Sequence, residues 1–186
     1  SITAPFVQNG ELSIIAGPGG FTADHTVSSG FTNTGTIRLT SQVNARTASL
    51  LVTTGTLTNN GAISVDTGVG GARQIAASLA NNGVFTANTS VSLAGVSTAY
   101  TNSGAFDVVA GATVTLDGGG QLLFEQAAGT LDNQGAFQVT ASERFDFTGG
   151  VIAGNAIELD EATLNISTTG AGAFNLRRSV AFGGDV

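Results

Sequence analysis

Short stretches of alternating hydrophobic and polar residues recur along the chain, each preceded by a turn. A representative copy is the phrase Leu57-Thr58-Asn59-Asn60-Gly61-Ala62-Ile63-Ser64-Val65, in which Ile63 and Val65 alternate with small or polar residues. Alternation with a period of two predicts a β-strand with one buried face. Because this phrase recurs and no helical stretch separates its copies, the pattern predicts an all-β protein.

Seven copies of the phrase place a glycine, or once an asparagine, directly before the strand. The predicted turn residues are Gly10, Gly35, Gly61, Gly83, Gly104, Gly135 and Asn155. Their mean spacing of about 24 residues lies in the range of solenoid repeats. Since each repeat carries one strand phrase, the sequence predicts a parallel β-helix (β-solenoid) of about seven coils.

The turn position itself has a predicted conformation. Asn155 stands where the other copies have glycine. Glycine adopts a positive φ without steric cost, and asparagine tolerates it better than most residues that have a side chain. We therefore expect a left-handed backbone at all of the predicted turn residues.

Aligning the copies also predicts which outward side chains stack into columns. The first column reads Glu11, Thr36, Ala62, Val84, Ala105, Ala136 and Ala156, and the second reads Ser13, Arg38, Ser64, Thr86, Asp107, Gln138 and Glu158. The first column is almost uncharged in its later coils. It suits either close approach by another surface or burial under a neighbouring loop.

The composition indicates how many domains the chain forms and which kinds of site and compartment are compatible with it. The 186 residues include 27 glycines and no cysteine, and 41% of them are hydrophobic, so we expect a single β-helix domain over residues 1–186. Absence of cysteine excludes disulfides and thiolate zinc sites and is compatible with export. Strand-like alternation at residues 174–182, close to the last residue, predicts a fragment of a longer chain.

Charge narrows the expected partners. The net charge of −7 disfavours nucleic acid and anionic membranes as partners. The sequence also has no run of 18 apolar residues. We therefore expect no nucleic-acid binding and no membrane insertion by this segment.

The best candidate for catalysis is a set of polar residues in the second column. It comprises Asp107, Gln138 and Glu158, with Arg144 as the candidate basic neighbour. The alignment separates Asp107 from Glu158 by two coils, roughly 9.6 Å at the usual strand spacing. That distance is too long for a retaining glycosidase and lies at the far edge of the inverting range. We therefore predict solvated charges and no catalytic residue.

Metal sites are not predicted either. His25 stands alone beside Asp24 in a predicted polar turn, where a solvated side chain is the usual outcome. Asp117 lacks a second aspartate at the spacing that calcium-binding repeats use, and the acidic stretch Glu158–Glu161 alternates onto the outer face. We expect no metal and no cofactor.

One loop stands out as a predicted binding site. Residues 100–130 form the longest repeat, and its extra residues are most simply placed around Asp117, Gly118, Gly119 and Gly120. Irregular loops on a regular stack are where solenoids usually carry their specificity. We therefore predict that this loop binds the partner.

The Leu-Thr-Asn-Asn-Gly-Ala-Ile phrases, in a chain rich in glycine and threonine and free of cysteine, resemble a known group. They are similar to the right-handed β-helical passengers of bacterial autotransporters and to filamentous-haemagglutinin-like surface exoproteins. The resemblance covers residues 6–182, without the Asn-Pro-Asn-Gly signature of two-partner secretion domains. It implies a right-handed β-helix that is secreted or lies on the bacterial cell surface.

Because the sequence predicts a regular stack and shows no convergent set of catalytic residues, we expect a non-enzymatic stalk or binding module of an adhesin. Expected partners are a protein or glycan on a cell surface, or a second copy that associates through the coil ends or through the flat face formed by the first outward column. Two alternatives stay open: a polysaccharide lyase or glycoside hydrolase of tailspike type, and a carbohydrate-binding module. The latter would use the loops at 68–72, 88–90 and 117–120, with Tyr100 and exposed phenylalanines as platforms.

Overall fold

The computed structural model describes residues 6–17, 22–43, 46–95, 97–168, 172–178 and 180–183. Within these ranges the regular elements are all β-strands, and every pair of neighbouring strands is parallel. The strands stack into a solenoid of about seven turns with a repeat of about 23 residues. The predicted all-β parallel β-helix is confirmed.

Each full coil contributes one strand to each of three faces. Face 1 contains β2 (Glu11–Ala16), β5 (Thr36–Ser41), β7 (Ala62–Val65), β9 (Val84–Ala87), β12 (Ala105–Val108), β15 (Thr130–Asn133) and β18 (Val151–Gly154). Face 2 contains β3 (Ala23–Val27), the first halves of β6 (Ala48–Asn59) and β8 (Arg73–Asn81), β10 (Val91–Ala94), β13 (Thr113–Asp117), β16 (Ala136–Thr140), β19 (Ile157–Asp160) and β21 (Phe174–Leu176).

Face 3 follows face 2 along the chain. It contains β1 (Val7–Gln8), β4 (Phe31–Asn33), the second halves of β6 and β8, β11 (Ala99–Asn102), β14 (Leu123–Gln126), β17 (Arg144–Phe147), β20 (Thr163–Ile166) and β22 (Ala181–Gly183). Because β6 and β8 run through the corner between faces 2 and 3, these two faces form one continuous hydrogen-bonded sheet.

Alternation along every strand fills the interior with stacked apolar side chains. In the later coils a series of contacting aromatic rings starts at Phe85 and Phe106, which stack with centroids 4.3 Å apart. Phe124 continues the contact, edge-on to Phe106 at 5.3 Å and stacked on Phe145 at 5.4 Å. All four rings are almost completely buried. Each such ring contributes both buried apolar area and favourable ring geometry.

One glycine per coil lies at the corner that leads from face 3 to face 1. This column consists of Gly10, Gly35, Gly61, Gly83, Gly104, Gly129 and Gly150. A methyl group added at Gly61 would lie 2.2 Å from the carbonyl oxygen of Gly35 in the preceding coil. That oxygen accepts a hydrogen bond from the Ala62 amide at 2.9 Å. From Gly35 onward, the backbones therefore approach too closely for any side chain at this corner.

The expected positive φ is wrong for the predicted turn residues. None of Gly10, Gly35, Gly61, Gly83, Gly104, Gly135 or Asn155 adopts a positive φ. Positive φ occurs instead at Gly129 (62°) and Gly150 (75°), where the same corner is one residue longer, and at Gly154 (79°), directly before Asn155. In most coils, close backbone approach rather than backbone handedness selects glycine.

The last two aligned copies also occupy a different corner from the one predicted. Gly135 lies between β15 and β16, at the corner from face 1 to face 2, where an added methyl group would lie 2.2 Å from the Ala112 carbonyl oxygen. Asn155 lies above it in the next coil and donates from Nδ2 to the Gly135 carbonyl at 2.8 Å. The phrase thus moves by one face between Gly104 and Gly135, because that interval holds one coil plus one additional strand.

This shift corrects the predicted outward columns. The first column on face 1 continues from Ala105 to Thr130 and Val151 rather than to Ala136 and Ala156. The second continues from Asp107 to Asp132 and Ala153 rather than to Gln138 and Glu158. The first column therefore ends in two exposed β-branched residues instead of alanines.

A ladder of buried side-chain amides runs along the corner between faces 3 and 1. Its members are Asn33, Asn59, Asn81, Asn102 and Gln126, each the last residue of its face 3 strand segment. The Nδ2 group of each asparagine donates to the side-chain oxygen of the next member, at 2.7–2.9 Å. It also donates to a backbone carbonyl of the next coil, as Asn81 does to Ala105 at 2.8 Å. The ladder therefore links successive coils in the otherwise apolar interior.

The glycine corner is tested by substituting Gly61 with alanine or asparagine. We expect both variants to lose roughly 1–3 kcal/mol of unfolding free energy, because any Cβ overlaps the Gly35 carbonyl. Gly10→Ala is the matched control, since no atom lies within 4 Å of its added Cβ. Chemical denaturation measures the difference, and a Gly61→Ala protein as stable as Gly10→Ala would contradict the close approach.

The amide ladder is tested by Asn81→Ala. This change leaves the Asn59 amide without its side-chain acceptor and the Asn102 oxygen without its donor, so we expect a loss of roughly 2–4 kcal/mol. Asn82→Ala removes an exposed neighbour whose side chain donates to Asn60, and it should cost less than about 1 kcal/mol. Equal unfolding free energies for the two variants would show that the ladder adds no stability.

Candidate functional site

The predicted catalytic column does not form, because its members lie on different faces. Asp107 on β12 pairs with Thr86 and Asp132, whereas Gln138 on β16 pairs with Thr115 and Glu158 on face 2. Arg144 belongs to face 3, where its guanidinium pairs with Asp146. The structure therefore separates Asp107 from both Glu158 and Arg144.

Face 1 instead brings two carboxylates together in neighbouring strands. Asp107 and Asp132 are directly paired, so their Cα positions are about 4.8 Å apart at the usual strand spacing. Partial burial and, to a lesser extent, the charge of Asp132 raise the pKa of Asp107. Asp132 accepts a hydrogen bond from Gln134 Nε2 at 2.7 Å. This pair is the arrangement on face 1 that comes nearest to acid–base chemistry.

The charged residues near the end of face 2 form ion pairs. Arg177 contacts Glu158 at 3.1 Å, and Glu158 also accepts from Gln138 Nε2 at 3.0 Å. Arg178 contacts Asp160 at 2.8 Å, and this hydrogen bond lowers the pKa of the Asp160 carboxyl. A small cavity of about 100 Å³ lies between these groups. The charges neutralise one another, as expected for a solvated face.

The predicted binding loop at Asp117, Gly118, Gly119 and Gly120 is held from below by a buried carboxylate. Glu143 is 1% exposed, and its Oε1 accepts from the Gly118 amide at 2.8 Å and from the Gly120 amide at 2.7 Å. Its Oε2 accepts from the Leu122 amide at 2.5 Å. Gly118 is buried, while Asp117 and Gly119 remain exposed. Most of the loop backbone is thus bound within the protein, which leaves the exposed pair for any partner.

Arg73 fixes the loop that precedes β8 in a similar way, but with the opposite charge and as a hydrogen-bond donor. Its buried guanidinium donates from Nη1 to the carbonyls of Gly70 and Gly71, at 2.8 and 2.6 Å, and from Nη2 to the backbone carbonyl of Asp66 at 3.0 Å. Burial lowers the pKa of Arg73. The loops at 68–72 and 88–90 meet here around a cavity of about 240 Å³ that is lined mainly by small and hydroxyl side chains.

Two aromatic expectations are corrected by burial. Tyr100 is 1% exposed, and its hydroxyl contacts the carbonyls of Ile75 and Ala94 at 2.6 and 3.0 Å, so it offers no platform for a sugar. Burial raises its pKa. His25 lies within β3 rather than in a polar turn, pairs with Leu50 in the inward register, and has a buried Nε2 without a hydrogen-bond partner among the described residues.

The corner between faces 2 and 3 carries a groove that the sequence pattern did not predict. The groove has a volume of about 550 Å³ and lies beside the first coils. Its lining residues are Phe6, Val7, Ser29, Gly30, Phe31, Thr32, Thr54, Gly55, Thr56 and Thr58. The signal in the sequence is the additional residues between Val52 and Leu57, which become visible only when the coils are stacked in the correct register.

Among the described residues, no three histidine or acidic side chains group closely enough to hold a metal ion. The same part of the chain contains no helix with the length and hydrophobicity needed to cross a membrane.

The role of the buried carboxylate is tested by Glu143→Gln. Glutamine keeps the shape but replaces one accepting oxygen by an amide group that faces backbone donors, so we expect a loss of about 2–3 kcal/mol in unfolding free energy. Hydrogen exchange should show faster exchange at Gly118, Gly120 and Leu122. The exposed Glu161→Gln is the control, and unchanged protection of these three amides in Glu143→Gln would contradict the assignment.

Comparisons with known proteins give no relative from which a function could be transferred: no protein-family model, no curated protein and no solved structure matches this chain.

Proposed function

We propose that the chain is a non-enzymatic, secreted or cell-surface β-helix that serves as the stalk or binding module of a bacterial adhesin. In this proposal the coils form a rigid rod, and the loops at its corners meet a protein or a glycan on a cell surface. The repeat phrases that resemble autotransporter and haemagglutinin-like exoproteins motivate the bacterial setting.

The observation that carries the proposal is the unbroken stacking of coils along the described chain. Buried amides link one coil to the next, and Glu143 and Arg73 fix two corner loops to the rod through backbone hydrogen bonds. Such a scaffold holds surface loops in constant positions at low conformational cost. This property is useful for presentation and binding, and it needs no reacting side chains.

Binding and turnover are tested on the same purified chain. We expect saturable binding of the fluorescently labelled protein to mammalian epithelial or bacterial cells, measured by flow cytometry. We also expect no reducing ends and no unsaturated products when it is incubated with a panel of polysaccharides. If the protein showed saturable binding to none of these cell types, the proposal would be contradicted.

A carbohydrate-active enzyme is a second candidate because of the Asp107–Asp132 pair. The Cα atoms of the two residues are about 4.8 Å apart at the usual strand spacing, a placement from which the carboxyl groups can reach the separation of about 5–5.5 Å that retaining glycosidases use, and Asp107 has a raised pKa. The pair lies on the open surface of face 1, between Thr86 and Ala153 in the same column. Such a surface gives a sugar fewer contacts than a cleft does, so this candidate ranks second.

The enzyme candidate makes a separate prediction. If any polysaccharide is cleaved, Asp107→Asn and Asp132→Asn should each abolish the release of reducing ends. The far-ultraviolet circular dichroism spectrum of each variant should stay unchanged, which shows that the fold is retained. Glu158→Gln on face 2 is the control and should keep full turnover. Turnover that survives both aspartate changes would remove this pair from consideration.

A further inference from the structure

The groove at the corner between faces 2 and 3 is built by a local widening of the first coils. In β6 the pairing with β8 shifts register between Leu51 and Thr56, so the intervening residues protrude from the stack. The hydroxyl groups of Thr53 and Thr54 donate to the Ser28 carbonyl, at 3.2 and 2.6 Å, and so fix this protrusion to the preceding coil. The result is a two-coil shelf beside face 3.

Glycines allow the two layers of the shelf to lie in direct contact. A methyl group added at Gly30 would lie 2.5 Å from both the amide nitrogen and the carbonyl oxygen of Thr56. Gly55, with a φ of 75°, would place its own Cβ 3.0 Å from the Gly30 nitrogen. In the next coil, β8 turns the same corner as one continuous strand. The shelf therefore stops abruptly and leaves one end of the groove open.

The groove is neutral and rich in hydroxyl groups. None of its ten lining residues is charged, although the whole protein has a net charge of −7. Among the described residues the side-chain hydroxyls of Thr32, Thr56 and Thr58 have no hydrogen-bond partner and remain available to a ligand. Val7, which is 60% exposed, and the partly buried Phe6 add apolar surface at one end.

These features suit a neutral sugar better than a peptide. Threonine presents a methyl group beside a hydroxyl, which matches the apolar C–H surface and the hydroxyl edges of a neutral pyranose. An extended peptide gains most of its affinity from a free strand edge. Of the three strands that line the groove, β4 pairs with β1 and β6, and β6 pairs with β3, β4 and β8, so neither has a free edge. The third strand, β1, is paired with β4 on the edge that faces these strands, so a peptide could add only to its outer edge, away from the shelf. A charged ligand would also meet no counter-charge in the lining.

We propose that the groove formed by the shelf and face 3 is a binding site for a neutral oligosaccharide. Its volume of about 550 Å³ lies within the usual range of about 300–1,000 Å³ for ligand sites. The inference rests on the proposed binding function, since it assigns the site and the chemical class of the partner. The hydroxyls of Thr32, Thr56 and Thr58 bind the sugar's hydroxyl groups, and Val7 contacts its apolar side.

The test uses the whole chain on an array of neutral oligosaccharides of glucose, galactose, mannose and N-acetylglucosamine, with polygalacturonate and an unrelated peptide set as comparisons. Thr58→Arg places a long charged side chain in the groove. Thr101→Arg is the matched control, because Thr101 occupies the same outward column of face 3 two coils beyond Thr58 and outside the groove. Thermal unfolding of both variants checks that the fold is retained.

We expect at least one neutral oligosaccharide to bind, Thr58→Arg to weaken that binding at least tenfold, and Thr101→Arg to change it less than twofold. Equal losses in both variants, or none in Thr58→Arg, would overturn the site. Binding only to polygalacturonate or peptides would overturn the ligand class. If cells are bound but no neutral sugar is, the proposed function stands and this inference fails. If a neutral sugar is bound through the groove but cells are not, the inference stands and the adhesin role fails.

Discussion

Direct contact between successive backbones at one corner determines how this rod can be built. At that corner the glycine carbonyls from Gly10 to Gly129 each accept a hydrogen bond from an amide of the next coil, and from Gly35 onward no room is left for a side chain between the coils. The asparagine two positions earlier turns inward and gives its amide protons to the following coil. A buried amide without partners costs about 1–3 kcal/mol, so each coil is stable only when its neighbour is present. Stability therefore depends on stacking and not on any single coil.

The sequence predicted the strands and the early columns because both follow from the period of two and from a regularly spaced turn. It did not predict the change of corner after Gly104. The phrase around Gly135 has the same asparagine, glycine and alternating residues as the earlier ones, and a parallel strand is bonded alike on all three faces. Local sequence therefore specifies a strand after a tight corner but not which corner. The two corners can be distinguished only by counting the residues from Gly135 back to Gly129, the glycine at the corner between faces 3 and 1, whose turn is one residue longer.

The candidate sites were harder to predict because they depend on contacts between coils. Glu143 reaches amides 21 to 25 residues earlier, so nothing near Asp117 in the sequence indicates that its loop is bound from below. Tyr100 is similar: a tyrosine in a strand phrase can point either way until its register is known, and here its hydroxyl is satisfied by carbonyls inside the stack. Charges were also misassigned, since the one-face shift replaces Gln138 by Asp132 as the neighbour of Asp107 and replaces Glu158 by Ala153 in the coil after it.

The three corners of the rod differ in what they can vary without loss of stability. The corner between faces 3 and 1 carries the glycines and the amide ladder, so an added side chain there disrupts the stack. Among the described residues, the corner between faces 2 and 3 carries no such ladder, and apart from the close contact of Gly30 with Thr56 its shape varies from the continuous bend of β8 to the protrusion after Leu51. Sequence changes at this second corner alter the surface while leaving the core intact. A binding site is therefore expected where the fold tolerates such variation, and the shelf and its groove lie at that corner.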